Sequence, residues 1–221
     1  MMPMRKVAVL LVLGAVAANA AFAGLAAVFD YPDVLARPAA EVMDAFHRDQ
    51  AIVSALFLLL ALGAGLLAPI AAGLAPRAGR LSLVVGTAAA VVQVAGLLRW
   101  PLIVPFVRDP ETFETLGTVL GTVVGETAGY LLTAAWTVMV VRALGGRVLK
   151  VWGLAAAALV ASGVLVPFGV PGTDLANFAG YVVWSLWLVG LAAVLWGSRA
   201  SVTVASQGKA VRAGEGKAGV S

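Results

Sequence analysis

Residues 115–141 read TLGTVLGTVVGETAGYLLTAAWTVMVV, and Glu126 is the only charged residue in this stretch. A helix that crosses the hydrocarbon core of a membrane needs about 20 consecutive, predominantly apolar residues. The stretch exceeds that length, so it predicts a membrane-spanning helix. The carboxyl of Glu126 then lies within the membrane, where ionisable groups are costly and usually face the interior of the helix bundle.

Five other apolar stretches predict further spans. The six predicted spans are residues 7–29, 51–74, 81–98, 116–141, 151–166 and 175–196. The chain is 62% hydrophobic and 12% charged, whereas soluble domains are about half apolar and about a quarter charged. We therefore predict an all-α integral membrane bundle of six transmembrane helices over residues 1–197. The Gly-, Ser-, Ala- and Lys-containing remainder, 198–221, is predicted to be a disordered cytoplasmic tail.

The charged residues distinguish the two sides of this bundle. Most of the lysines and arginines fall at the termini and in the second and fourth connections, whereas the first and third connections hold most of the acids. Cytoplasmic loops are enriched in lysine and arginine, so both termini are predicted to be cytoplasmic and the protein to be multi-pass in a cell membrane, with the bacterial inner membrane expected. The sequence pI of about 9.9 is then a topology signal, and no nucleic-acid partner is expected.

The first predicted span has a second interpretation. MMPMRKVAVLLVLGAVAANAAFA (1–23) also has the basic start, apolar centre and Ala-x-Ala sites of a cleavable signal peptide. Cleavage after Ala23 would leave five spans. We favour an uncleaved span because the apolar run continues to Phe29, beyond a usual signal-peptide core.

Three other patterns predict local features. PAAEVMDAFHRDQ (38–50) predicts an amphipathic helix at the outer membrane surface, with Val42 and Phe46 on one side. Trp184, Trp187 and Trp196 in the sixth span are predicted to be lipid-facing members of an aromatic belt. GRLSLVVGTAAAVVQVAG (79–96) resembles GRVLKVWGLAAAALVASG (146–163), which suggests that spans two and three are related to spans four and five. Chance similarity in Ala-, Val-, Leu- and Gly-rich helices is the alternative.

Several polar residues are predicted to lie near Glu126 in the outer half of the bundle. Arg99 and Gln93 belong to the third span at a similar depth, and Tyr130 follows Glu126 by four residues on the same helix face. The predicted ligand-binding residues are Asn19, Gln93, Arg99, Glu126, Tyr130 and Asn177. The alternative is an interhelical clamp without a ligand, in which Arg99 or Gln93 bonds directly to Glu126.

Composition restricts the chemistry of this site. The chain has no cysteine and one histidine, which excludes disulfides and thiolate sites and makes multi-histidine ligation implausible. We expect no metal and no cofactor. The sequence contains no GxSxG, HExxH, P-loop or GxGxxG motif, so standard hydrolase and nucleotide chemistry has no support.

Three stretches carry a family resemblance: YPDVLARPAAEVMDAFH (31–47), LLRWPLIVP (97–105) and VVGETAGYLLTAAW (123–136). In this order they resemble bacterial membrane proteins of about six spans that are classified as a domain of unknown function. The resemblance implies a six-span membrane fold and no established activity.

Three functions fit these observations. The first is binding or transport of a small or lipid-like ligand, hydrophobic or anionic, through an outward-facing polar pocket. The second is an accessory or scaffold subunit with a membrane-protein partner in the lipid bilayer. The third is an intramembrane enzyme that acts on a lipid or isoprenoid, with Glu126 as acid or base. We rank the enzyme last, because no second catalytic group is evident.

Overall fold

The computed structural model describes residues 2–197, and the predicted tail at 198–221 lies outside the described residues. The α-helices in this part of the chain are α1 (Met4–Phe29), α2 (Ala39–Arg48), α3 (Gln50–Gly65), α4 (Leu67–Ala78), α5 (Arg80–Leu102), α6 (Pro110–Leu116), α7 (Gly129–Leu144), α8 (Arg147–Ala161) and α9 (Thr173–Gly197). Three short 3₁₀ segments are Asp33–Ala36, Val104–Phe106 and Ser162–Phe168, and a π-helix spans Gly117–Ala128.

Six helical segments are long and apolar enough to cross a membrane, which confirms the all-α, six-helix prediction. They are Met4–Phe29, Gln50–Ala78, Arg80–Phe106, Pro110–Leu144, Arg147–Phe168 and Thr173–Gly197. The second segment consists of α3 and α4 with a break at Leu66, three residues before Pro69. Proline lacks a backbone N–H and is tolerated in the first turn of a helix, so α4 restarts immediately after the break.

The spans form a closed ring in chain order. Each span packs against the next, and α9 packs against α1. Helix α1 contributes Val7, Leu11 and Leu25 to the core, all fully buried. This packing is what an uncleaved first span requires, and the intact mass of the purified protein is the measurement that distinguishes it from a cleaved signal peptide.

The half of the bundle that is predicted to be cytoplasmic is filled by apolar side chains. Trp136 and Trp187 are 0% and 1% exposed and pack edge to face, with ring centroids 6.4 Å apart. The prediction that Trp187 and Trp184 face lipid is wrong, because the Trp187 indole donates to the Leu149 carbonyl and the half-buried Trp184 indole donates to the Thr137 hydroxyl. Buried indole N–H groups usually find such partners.

The half that is predicted to face outward has its own aromatic cluster. Phe57 stacks on Trp100 at a centroid distance of 4.8 Å, and Phe29 meets the same indole edge to face at 5.3 Å. The predicted amphipathic helix is present as α2, and its buried side includes Val42 and Phe46. These two side chains belong to the aromatic cluster, so α2 covers the outer ends of the spanning helices instead of burying this face in lipid.

Two hairpins of the bundle resemble each other in sequence and in one packing contact. AGYLLTAAW (128–136) in α7 and AGYVVWSLW (179–187) in α9 share four identical positions, and they follow the two glycine-arginine repeats that begin at residues 79 and 146. A side-chain carbon built on Gly86 would lie 2.6 Å from the Trp136 indole. A side-chain carbon built on Gly153 would lie 2.7 Å from the Trp187 indole. These similar contacts relate spans three and four to spans five and six, a grouping that differs from the predicted one of spans two and three with spans four and five.

Candidate functional site

Arg99 is a buried cation without an acidic partner. Its side chain is 8% exposed near the outer end of α5. One terminal nitrogen, Nη1, donates to the Gly96 carbonyl at 2.9 Å in its own helix. A guanidinium carries five N–H donors, and no carboxylate in residues 2–197 lies within ion-pair distance of Arg99. Most of its donors therefore remain available to a ligand or to water.

The absence of a side chain at Gly121 allows this placement. A side-chain carbon built on Gly121 would lie 2.7–2.8 Å from three atoms of the Arg99 guanidinium. The π-helix also approaches α5 closely where Gly125 faces Gly96, because a side-chain carbon on Gly96 would lie 2.6 Å from the Gly125 Cα. Glycine lowers the preference for a regular α-helix, and π-helical segments are frequent at functional sites. The glycines of the π-helix thus provide a surface without side chains, and the Arg99 guanidinium packs flat against it.

Glu126 is half-buried in the last turn of the π-helix and has no direct partner. It makes no hydrogen bond and no ion pair with any residue that the structure describes. The predicted direct clamp to Arg99 or Gln93 is therefore not formed. Glu126 and Arg99 still interact electrostatically, so the two opposite charges lie within range of each other on neighbouring helices.

All three tyrosines of the chain lie within electrostatic range of this carboxyl. Glu126 interacts electrostatically with Tyr31 in the first outer loop, Tyr130 in α7 and Tyr181 in α9. The rings of Tyr130 and Tyr181 meet edge to face, with centroids 5.7 Å apart. Groups from three separate segments lie around Glu126, so its carboxyl faces the interior of the bundle and not the lipid.

Tyr31 packs between α1 and α3. Its ring packs edge to face on Phe22 of α1 at 5.6 Å and on Phe57 of α3 at 5.4 Å. Burial raises the pKa of Tyr31 to about 12; the charge of Glu126 adds to this rise and Arg99 opposes it. The Tyr31 phenol is therefore neutral at physiological pH and available as a hydrogen-bond donor.

Three of the predicted site residues have their amides occupied by structural hydrogen bonds. Gln93 donates to the Thr133 hydroxyl at 3.0 Å and links α5 to α7. Asn177 is buried, and it donates to the Val160 carbonyl at 2.8 Å, which links α9 to α8. Asn19 is exposed and donates to the Ala15 carbonyl of its own helix. The structure thus brings Arg99, Glu126 and Tyr130 of the predicted set to one space.

The similar hairpins use the position of Glu126 differently. Glu126 and Asn177 occupy equivalent positions, each two residues before an Ala-Gly-Tyr sequence. Asn177 bonds across its hairpin to the backbone of Val160, and the residue equivalent to Val160 is Gln93. Glu126 makes no such bond to α5. One hairpin therefore uses this position to join its helices, whereas the other presents a free carboxyl to the interior.

Tyr31 and Tyr181 are site residues that the sequence interpretation missed. The repeated Ala-Gly-Tyr motif could have indicated Tyr181, since its first copy contains the predicted Tyr130. Tyr31 lies outside the predicted spans, and only the path of the first outer loop brings it back over the bundle. We call Tyr31, Arg99, Glu126, Tyr130 and Tyr181 the outer polar site.

No protein-family model, curated protein or solved structure matches this chain. The function therefore has to be inferred from the outer polar site itself.

Proposed function

We propose that the chain is a multi-pass protein of a bacterial cell membrane that binds a small or lipid-like ligand in the outer polar site, either to retain it or to transport it. Membership of the six-span family that the sequence resembles is part of this proposal. The observation that carries it is the unpaired state of Arg99 and Glu126. Their opposite charges face one interior space, yet they form neither a hydrogen bond nor an ion pair with each other.

Energetics favour a ligand for such a pair. A buried charge without a partner is destabilising, and well-packed proteins usually pair it or hydrogen-bond it fully. Direct pairing across the α5–π-helix contact would satisfy both groups, and the close glycine packing already brings these helices together. The two charges instead remain unpaired, which suits a ligand that supplies the missing partner.

The proposal is tested by direct detection of a bound molecule. The full-length protein is purified in mild detergent, and small molecules released on denaturation are identified by mass spectrometry, alongside a thermal-shift screen of water-soluble and lipid-like compounds. We expect a compound that stabilises the wild type and has no effect on Glu126→Gln. Glu111→Gln is the matched control, because Glu111 is an exposed acid on the same predicted side.

The other functions predict different results. An accessory subunit retains its membrane-protein partner and its role after Glu126→Gln, and it shows no ligand-dependent shift. An intramembrane enzyme converts a component of a lipid extract in the wild type but not in Glu126→Gln. Neither result is expected if the outer polar site only binds or transports its ligand.

A further inference from the structure

The outer polar site contains two opposite charges that are both available. A ligand with a single charge would pair with one of them and leave the other unpaired. We propose that the ligand is zwitterionic, with an acidic group held by Arg99 and an ammonium group held by Glu126 and the tyrosine rings. This inference rests on the proposed function and specifies the chemical class of its ligand.

Arg99 is suited to the acidic end. Its bond to the Gly96 carbonyl and its contact with Gly121 fix the plane of the guanidinium. A guanidinium held in one plane presents parallel N–H groups that match the two oxygens of a carboxylate or a phosphate. The guanidinium also lies over Trp100, whose ring centroid is 5.2 Å from the Arg99 Cζ, so little side-chain freedom remains to be lost on binding.

Glu126 and the tyrosines are suited to the basic end. An ammonium ion is attracted to carboxylates and to the faces of aromatic rings. The Tyr130 and Tyr181 rings meet at an interplanar angle of 60°, which leaves an aromatic corner next to the Glu126 carboxyl. An anion would be repelled there. The site is therefore polarised, with its acid-binding end at α5 and its amine-binding end between α7 and α9.

Two sources supply this chemistry. A free zwitterion of low molecular weight arrives from the outer aqueous side, whereas a phospholipid with an amino headgroup arrives from the outer leaflet. Both present an anionic group and an ammonium group separated by a short chain. The charges on the protein distinguish neither source, so the experiment compares them directly.

The test measures binding to the full-length protein in detergent by isothermal titration calorimetry. The water-soluble zwitterions are phosphoethanolamine and an α-amino acid. Monoethyl phosphate carries only the negative charge, and ethylamine carries only the positive charge. Short-chain phosphatidylethanolamine is the zwitterionic lipid, and short-chain phosphatidylglycerol is the anionic lipid with which it is compared. We expect at least one zwitterion to bind at least about tenfold more tightly than either singly charged probe, because one charged hydrogen-bonded contact is lost in each half. Tighter binding of phosphatidylethanolamine identifies the lipid source, and tighter binding of a free zwitterion identifies the aqueous source.

Variants assign the two ends. Glu126→Gln should remove the preference for phosphoethanolamine over monoethyl phosphate, and Arg99→Gln should remove the preference over ethylamine. Arg99→Lys keeps the positive charge and should retain weaker zwitterion binding if Arg99→Gln does not fold. Arg108→Gln and Glu111→Gln neutralise exposed charges on the outer side and should leave binding unchanged.

The outcomes separate the two proposals. Equal binding of monoethyl phosphate and phosphoethanolamine to the wild type would overturn the zwitterion inference and leave an anion-binding function in place. Unchanged discrimination in Glu126→Gln would overturn it as well. If no zwitterion binds while another compound stabilises the protein in the thermal-shift screen, the inference fails and the proposed function stands. If nothing binds in either experiment and no molecule co-purifies, both fail.

Discussion

Replacing Glu126 with glutamine distinguishes a ligand site from a structural clamp. The substitution keeps the shape of the side chain and removes its charge. Glu126 makes no hydrogen bond or ion pair within the described part of the chain, so the change breaks no direct contact. We therefore expect the free energy of unfolding of the ligand-free protein to change by no more than about 1 kcal/mol, since two larger electrostatic effects oppose each other.

The size of each effect follows from the placement of the charges. Arg99 and Glu126 are further apart than the 4.0 Å ion-pair limit. Their attraction is at most about 4 kcal/mol at that limit with an effective dielectric constant of about 20, and about half of that at twice the distance. An acidic residue in the middle of a span costs about 2.5–3.5 kcal/mol on insertion scales. The substitution removes both the attraction to Arg99 and the cost of a charged side chain in the span, and these two effects on the free energy of unfolding nearly cancel.

The assay is reversible unfolding in mixed detergent micelles with increasing SDS, and Asn177→Ala is the matched comparison. Asn177 occupies the equivalent position of the repeat and donates to the Val160 carbonyl. Its loss removes a buried hydrogen bond between α9 and α8 and leaves a small cavity, which we expect to destabilise the protein by about 1–3 kcal/mol. If Glu126→Gln lowered the free energy of unfolding by about 3–5 kcal/mol, the range for a broken buried ion pair, the reasoning would be refuted and a structural clamp between Arg99 and Glu126 would be favoured.

Three further predictions test the surroundings of the site. Burial raises the pKa of Tyr31 from 10.0 to about 12; its stability contribution is therefore present below pH 10 and lost as the pH rises towards 12. A variant with phenylalanine at the other two tyrosines should show phenolate absorbance with a midpoint near 12 when folded and near 10 when unfolded. Because the chain has no cysteine, Glu111→Cys should react with an impermeant maleimide in intact cells, and Gly146→Cys only after permeabilisation; the reverse pattern would contradict the predicted orientation. Gly153→Ala should lower the unfolding free energy by about 1–2 kcal/mol, because overpacking against a buried indole exceeds the gain in helix propensity. Gly117→Ala, with open space around it, should be neutral or slightly stabilising, and equal effects of the two changes would contradict this packing.

The six spans could be predicted from the sequence because transfer into lipid depends on apolar length, which the sequence states directly. The placement of Glu126 in the bundle interior could also be expected, because a carboxyl facing lipid is costly. Its lack of a partner could not be predicted. The π-helix over Gly117–Ala128 changes the rotation of each side chain about the helix axis, and hydropathy contains no information on that rotation.

The burial of the tryptophans is a second feature that the sequence pattern did not predict. Trp187 was predicted to face lipid because tryptophans near span ends often occupy the membrane interface. The deciding residue is Gly153 on the neighbouring helix, where the absent side chain creates the space for the indole. Gly86 does the same for Trp136. Complementary shapes on two helices are a tertiary property, although the repeated spacing of glycine and tryptophan indicates it once both copies are compared.

These glycine–tryptophan contacts also affect the choice between binding and transport. The outer polar site lies in the half of the bundle that is predicted to face outward, whereas the interior of the other half is filled by Trp136 and Trp187, both fully buried. A ligand that binds and leaves on the outer side requires no change in this packing. A ligand that crosses to the cytoplasm requires at least one indole to leave its glycine. Each glycine–tryptophan contact joins the two helices of one hairpin, so a transport cycle would have to separate α5 from α7 or α8 from α9. A disulfide between engineered cysteines across either hairpin should therefore stop transport while binding on the outer side continues.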